Sequence, residues 1–107
     1  MLYELRIYDI VPGKLRATHD RFANLTLGLF KKHGIQVVGF WTDEVGTNNR
    51  LTYMLSFRDM AHREQAWGAF QRDPDWVRGS AESEREGPLV AQVHNTFMRP
   101  TSYSPMQ

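Results

Sequence analysis

Cysteine is absent from the 107 residues of this sequence. The absence excludes disulfide bonds, thiolate nucleophiles and metal clusters held by cysteine. Long apolar runs are absent as well, since no stretch approaches the roughly 18 residues of a membrane-spanning helix. The amino terminus enters a strand pattern directly, without a charged segment followed by an apolar one. We therefore expect a cytoplasmic protein with no membrane partner.

An excess of charge of either sign is also missing, because 13 basic and 12 acidic side chains leave a net charge of +1. The charges are interspersed, so there is no basic patch of the kind that binds nucleic acid. The four histidines are scattered and form no H-x₃₋₅-H or H-E-x-x-H pattern. Glycine-rich phosphate loops are missing too. These absences predict no nucleic-acid partner, no metal and no cofactor.

What is present is the composition of a globular protein, with 41% hydrophobic and 23% charged residues. A chain of this length forms one domain, so we expect a single domain over residues 1–107. Its most regular pattern is an alternation in the first strand, where successive side chains point to opposite faces. One face carries Tyr3, Leu5 and Ile7, and we interpret it as core. The other carries Glu4, Arg6 and Tyr8, called the polar triplet below.

A helix is predicted after Pro12 and Gly13. Its apolar stripe at helical spacing consists of Leu15, Thr18, His19, Phe22, Leu25, Thr26, Leu29 and Phe30. The stripe places His19 against the core, whereas Leu27 projects well away from it. Gly34 follows the last turn and is expected to end the helix in a left-handed conformation.

The remaining pattern predicts a hairpin, a second helical region and a last strand. The hairpin strands are Ile35 to Val45 and Leu51 to Phe57. Asp59 is expected to cap a helix whose stripe contains Met60, Arg63, Ala66, Trp67 and Phe70. Asp73-Pro74-Asp75-Trp76 starts a short helix, residues 79–87 form an exposed connection, and Leu89 to Met98 is the last strand.

This order of elements predicts an α+β fold with a four-stranded antiparallel sheet in the spatial order 4-1-3-2 and both helices on one face. We expect the polar triplet on the uncovered face, together with Trp41 or Phe40 and Met54. An uncovered patch of this size usually marks an interaction surface. Pairing of two sheets face to face in a homodimer is the simplest way to cover it.

Several motifs resemble the NIPSNAP family, and together they span nearly the whole chain. They are Tyr3-Glu4-Leu5-Arg6-Ile7-Tyr8, Pro12-Gly13-Lys14, residues 38–46 (VGFWTDEVG), Asp73-Pro74-Asp75-Trp76 and residues 99–105 (RPTSYSP). The resemblance implies a ferredoxin-like βαββαβ sandwich whose sheet pairs with a second copy into a dimeric α+β barrel with a pocket inside. Relatives by fold include cofactor-independent monooxygenases and isomerases, but the family has no agreed reaction. The implied ligand is a small aromatic or carbonyl-containing molecule.

The candidate catalytic residues are the polar triplet and His94. Arg6 would orient or polarise a substrate, Glu4 or His94 would move protons, and Tyr8 would donate a hydrogen bond. The structural alternative for the triplet is a set of ion pairs that stabilise the sheet. For His94 the alternative is a hydrogen-bonded structural histidine.

The candidate ligand-binding residues are Trp41 and Arg63. Trp41 would form a pocket wall or part of the dimer interface. Arg63 would recognise an anion, or would instead pair with a carboxylate at the edge of its helix. Two hypotheses follow, namely a small-molecule enzyme without metal or nucleotide cofactor, and a non-enzymatic homodimeric binding or scaffold protein.

Overall fold

The computed structural model describes residues 1–107, which form one four-stranded antiparallel sheet and the helices on one of its faces. The strands are β1 (Leu2–Ile10), β2 (Gln36–Thr42), β3 (Arg50–Phe57) and β4 (Val90–Met98). The helices are α1 (Leu15–Arg21), a π-helical turn (Phe22–Thr26), α2 (Leu27–Lys32), α3 (Met60–Arg72) and α4 (Pro74–Ser83). The strand order β2-β3-β1-β4 is the predicted order.

Strand β1 lies at the centre of the sheet because it pairs with β3 on one side and β4 on the other. The register places Arg6 between Tyr53 of β3 and Asn95 of β4. Residues directly opposite each other in an antiparallel pair share a face of the sheet. The register therefore decides which side chains of distant segments meet the polar triplet.

The first predicted helix is continuous from α1 to α2 but contains a π-helical turn that the sequence did not predict. The amide of Leu27 donates to the carbonyl of Phe22, five residues earlier. The Thr26 hydroxyl lies 3.4 Å from the Arg21 carbonyl, across the widened turn. The predicted helix end is confirmed, since Gly34 has φ 72° and its amide donates to the carbonyl of Lys31.

Both predicted caps of the second helical region are confirmed. Asp59 accepts a hydrogen bond from the His62 amide, and Asp73 accepts one from the Asp75 amide with Pro74 at the first helical position. The helix after Asp73 runs on to Ser83, so the predicted exposed connection over residues 79–87 was wrong for its first half. At Gly79 a Cβ atom would lie 2.5 Å from Leu25, and the missing side chain therefore lets α4 pack against the first helix.

The prediction of which face the helices cover was wrong. The helices cover the face of the polar triplet, where Glu4, Arg6 and Tyr8 are buried. Leu5 and Ile7, interpreted above as core, lie half-buried on the open face. Strand alternation assigns residues to two faces but does not say which face is covered.

The buried core lies between this sheet face and the helices. It consists of Tyr8, Ile10, Phe22, Leu29, Phe30, Ile35, Leu51, Tyr53, Leu55, Phe57, Ala66 and Phe70. His19, predicted to face the core, is exposed because it lies at the edge of the stripe that Thr18 and Phe22 centre. None of the helices has the length and apolar character needed to cross a bilayer.

Candidate functional site

The polar triplet forms a buried hydrogen-bonded cluster beneath the helices. Glu4 is 0% exposed, and Arg6 and Tyr8 are each 8% exposed. Burial of charged groups costs free energy unless each is paired and hydrogen-bonded. The partners of each group therefore determine what the cluster can do.

The Glu4 carboxylate is held by two arginines and an asparagine. Its oxygens accept from Arg6 Nη1 at 2.7 Å, from Arg63 Nε and Nη2 at 3.0 Å each, and from Asn95 Nδ2 at 3.1 Å. Burial alone raises the pKa of Glu4, but the hydrogen bonds from Arg63 and Asn95 and the charge of Arg6 outweigh it, so the pKa lies below its ordinary value. Glu4 is therefore ionised and its acceptor positions are occupied.

The Arg6 guanidinium links Glu4 to two tyrosines. Its Nε donates to the Tyr53 hydroxyl at 2.7 Å, and its Nη2 lies 3.4 Å from the Tyr8 hydroxyl. The guanidinium also lies over the Trp67 ring, 4.5 Å from the ring centroid. An arginine has five N–H groups, and only three are directed at Tyr53, Glu4 and Tyr8. Two N–H groups therefore have no partner among these residues.

The two tyrosine hydroxyls are joined to each other at 2.7 Å. Tyr53 is 0% exposed, and burial raises its pKa well above the ordinary value of 10, an effect to which the neighbouring Tyr8 adds. Tyr53 therefore keeps its proton at neutral pH. No sequence pattern singles out this tyrosine, but the pairing of Arg6 with Tyr53 in the sheet register brings the two together.

A cavity of about 60 Å³ lies beside this cluster, between the sheet and the helices. Its polar wall consists of Arg6, Tyr8, Tyr53, Arg21, Thr26 and Gln71. Its aromatic wall consists of Phe22, Phe30, Trp67, Phe70 and Trp76. A volume of this size holds a few water molecules or one small polar group, and it lies well below the roughly 300 to 1,000 Å³ of a usual ligand pocket.

The first helix and α4 meet at Arg21, which the sequence patterns did not single out. Arg21 Nη1 lies 3.1 Å from Glu84 and 3.3 Å from the Ser83 hydroxyl, and its guanidinium lies over the Trp76 ring at 5.4 Å. The cavity wall therefore contains a second guanidinium besides Arg6. No group of three histidine, aspartate or glutamate side chains is arranged to hold a metal ion.

His94 lies on the opposite face of the sheet from the polar triplet. Its partner in the β1 register is Ile7, and its Nε2 atom lies 2.8 Å from a carboxylate oxygen of Asp9. The hydrogen bond from His94 lowers the pKa of Asp9 below its ordinary value. The four predicted catalytic residues are therefore not one site, because the sheet separates His94 from the cavity.

The two predicted ligand-binding residues also lie outside the cavity wall. Trp41 is 52% exposed on the open face, where its indole lies over Gly39. Arg63 projects from α3, pairs with Glu4, and makes a second ion pair with Glu64 at 3.0 Å. The geometry at Arg63 agrees with the ion-pair alternative, in which it helps to neutralise Glu4.

Fold and site together define a ferredoxin-like α+β protein with a small polar and aromatic cavity between its sheet and its helices. The chain belongs to the NIPSNAP family, whose model matches residues 3–105. A NIPSNAP domain protein from Burkholderia xenovorans has a similar structure, with a TM-score of 0.85 at 25% identity and coverage of 98% of this chain and 99% of that one.

Two NipSnap proteins of animals are similar in sequence. The Drosophila melanogaster protein NipSnap is 23% identical over 99% of this chain and 37% of its own length. NipSnap homolog 3B of Mus musculus is 31% identical over 69% of this chain and 30% of its own length. The chain thus matches about a third of the length of these relatives.

More distant structures share the fold alone. An antibiotic biosynthesis monooxygenase has a TM-score of 0.57 at 14% identity, with coverage of 94% of this chain and 99% of that one. A dimeric ferredoxin-like protein from an uncultured marine organism has a TM-score of 0.63 at 10% identity, with coverage of 96% and 95%.

Proposed function

We propose that this protein binds a small organic molecule whose acceptor oxygen, a carboxylate or carbonyl, enters the cavity between its sheet and its helices. The observation that carries the proposal is Arg6, a buried guanidinium at the cavity wall with two N–H groups left for a ligand. A guanidinium suits such a ligand because its planar fork matches the oxygens of a carboxylate.

The charge of the cluster favours the same ligand. Glu4 carries one negative charge and pairs with both Arg6 and Arg63, so the three buried groups together keep one positive charge, while the exposed Glu64 pairs with Arg63 at the surface. Arg21 adds a second cation at the wall, although its partner Glu84 lies outside the cavity lining. An oxygen that carries negative charge, in full or in part, would complement this wall.

A catalytic version of the proposal is activation of a carbonyl group, as in a monooxygenase-like or isomerase-like enzyme without cofactor. When Arg6 donates to Tyr53 and Tyr53 donates to Tyr8, the proton of Tyr8 is left to donate to a ligand. Arg6 and Tyr8 would then stabilise negative charge that develops on a ligand oxygen. Glu4 would position Arg6 rather than move a proton, since its acceptor positions are filled.

The second proposed property is a homodimer formed through the open sheet face, and it holds whether or not the protein is an enzyme. The open face carries Leu5, Ile7, Met54 and the exposed Trp41. Burial of such apolar surface is the main driving force for association. A non-enzymatic binding or scaffold protein would use the same interface.

The test of ligand binding is a thermal-shift and calorimetry screen with small aromatic acids, ketones and quinones, with Arg6→Gln and Arg63→Gln compared with the original chain. Both substitutions remove one arginine from Glu4, but only Arg6 lines the cavity. We expect a bound compound to lose at least tenfold in affinity with Arg6→Gln, about 1.4 kcal/mol, and little with Arg63→Gln.

Equal losses of affinity in the two variants would show that general destabilisation, not contact with Arg6, affects binding. The absence of any ligand in all three compound classes would contradict the proposal itself.

A further inference from the structure

A second hollow lies directly outside the buried cavity, at the surface beside strand β2. It is a mostly apolar groove of about 440 Å³. Its lining includes Phe22, Ala23, Leu27, Trp41 and Leu51. Its volume lies within the usual range for ligand pockets, whereas the buried cavity alone does not reach that range.

The groove and the cavity share one wall residue, Phe22. The ring of Phe22 packs edge-on against Phe40 and Tyr53, at centroid distances of 5.0 and 5.2 Å. Tyr53 lines the cavity and Phe40 lines the groove. Three packed aromatic side chains, Phe22, Phe40 and Tyr53, therefore lie between a polar interior hollow and an apolar exterior one, and Phe22 is the one that lines both.

The partition coincides with the irregular part of the first helix. Phe22 begins the π-helical turn and its carbonyl accepts from Leu27, whose side chain lines the groove. Thr26, in the same turn, lines the cavity. Single π-helical turns within α-helices occur frequently at functional sites. Leu27 is 39% exposed, so its apolar side chain is available to a ligand.

From this arrangement we infer that the ligand is an amphipathic carboxylate, with its carboxylate at Arg6 and an apolar chain that passes Phe22 into the outer groove. The inference rests on the proposed function, because it assigns the oxygen of the ligand to the same cavity. The polar end matches the arginine and tyrosine wall, and the apolar end matches the groove of Leu27, Phe40 and Leu51. Phe22 acts as the gate that must turn aside to admit the ligand.

The test is a calorimetric titration with the straight-chain carboxylates acetate, butanoate, hexanoate and octanoate. Each methylene group that enters the groove should increase affinity about fourfold, the factor that corresponds to about 0.8 kcal/mol per buried CH₂. Leu27→Gln should remove most of this gain, so that octanoate loses far more affinity than acetate does. Val77→Gln is the matched control, since Val77 is 54% exposed on α4 and does not line the groove.

The gate is tested by the association rate of hexanoate, followed by the fluorescence of the tryptophans at the cavity wall. Phe22→Leu keeps an apolar side chain in the core and should accelerate association at least severalfold. Leu29→Ala, a core truncation in the same continuous helix that lines neither hollow, should not. An unchanged rate in Phe22→Leu would overturn the role of Phe22.

The outcomes separate this inference from the proposed function. Acetate binding without a gain for longer chains would overturn the inference and leave the proposed function standing. Binding of aromatic ketones without binding of any carboxylate would also overturn the inference and leave the proposed function standing. If neither carboxylates nor carbonyl compounds bind, the inference and the proposed function are both wrong.

Discussion

The two faces of the sheet differ in a way that reverses the usual expectation that apolar side chains of a strand face the covering helices and polar ones face water. The covered face carries the charged and hydroxyl groups of the polar triplet, and Glu4 on it is 0% exposed. The open face carries Leu5 and Ile7 half-buried and Trp41 52% exposed. In the central strand the polar side chains Glu4 and Arg6 therefore lie inside the molecule, while the apolar Leu5 and Ile7 lie on the open face.

The difference shows that a polar group can be buried when hydrogen-bond or ion-pair partners lie beside it, so polarity alone does not decide burial. Every charged group of the covered face has a partner within 3.0 Å, as the contacts of Glu4 with Arg6 and Arg63 show. On the open face the polar pair is Asp9 with His94, which remains accessible to water. The charged groups of the covered face are thus paired within one chain, whereas the open face has apolar surface that the proposed second copy would cover.

The largest expected effect is on the covered face. Glu4→Gln removes the only negative charge between Arg6 and Arg63, and leaves two guanidinium groups facing each other in a buried site. We expect a loss of about 3 to 5 kcal/mol in the free energy of unfolding, because an unpaired buried charge is costly. Urea unfolding measures the loss, and Asp9→Asn on the open face is the control, with a far smaller effect.

The same substitution also changes the response to acid. The pKa of Glu4 is lower in the folded protein than its ordinary value of 4.5, so its contribution to stability is complete above that pH. The contribution is lost as the pH falls from about 4.5 through the folded-state pKa. Glu4→Gln should flatten this acid limb, and an unchanged limb would mean that Glu4 is not held as the structure shows.

The next effect concerns association through the open face. Leu5→Asp places a charge beside Met54 and Thr96, its neighbours across the sheet. We expect the dissociation constant of the proposed homodimer to rise at least a hundredfold, about 2.8 kcal/mol, because the charge would be buried at the interface. Light scattering across a concentration series measures this change.

Val77→Asp on the outer surface of α4 is the control for that experiment and should leave the dimer intact. If the original chain already scatters as a monomer of 12.5 kDa at micromolar concentration, the proposal of a dimer through this face is wrong.

The smallest expected effect is the loss of stability when one tyrosine hydroxyl group is removed, compared between the two faces. Tyr53→Phe removes the acceptor of Arg6 Nε and the partner of Tyr8, so we expect a loss of about 1 to 3 kcal/mol. Tyr3→Phe removes an exposed hydrogen bond to the Gln107 carbonyl on the open face, and should cost less than about 0.5 kcal/mol. Chemical denaturation measures both, and equal losses would contradict the difference between the faces.

Much of the fold could be predicted because its signals are local. The caps at Asp59 and Asp73, the helix end at Gly34 and the strand order are all confirmed. The π-helical turn was missed, since the apolar stripe of an ordinary helix continues through it. The extension of α4 was missed as well, because its contact at Gly79 depends on Leu25 of another helix.

The candidate site could be predicted only in part. The polar triplet was recognised from its spacing, and the structure brings its members together beside a cavity. Tyr53 and Arg21 were not recognised, because they reach the cavity from segments distant in sequence. His94 was assigned to the same site although it lies on the other face of the sheet.

By itself the sequence determined the alternation of β1, because the pleat of a strand sends neighbouring side chains to opposite sides. It also determined the family and the order of the elements. Only the tertiary structure decided that the polar face is the buried one. That choice depends on Arg63 and Trp67, more than fifty residues away, which provide Glu4 with a second cation and Arg6 with an aromatic surface. A buried charge is tolerated only when such partners lie beside it, and no local sequence pattern indicates which distant residues will do so.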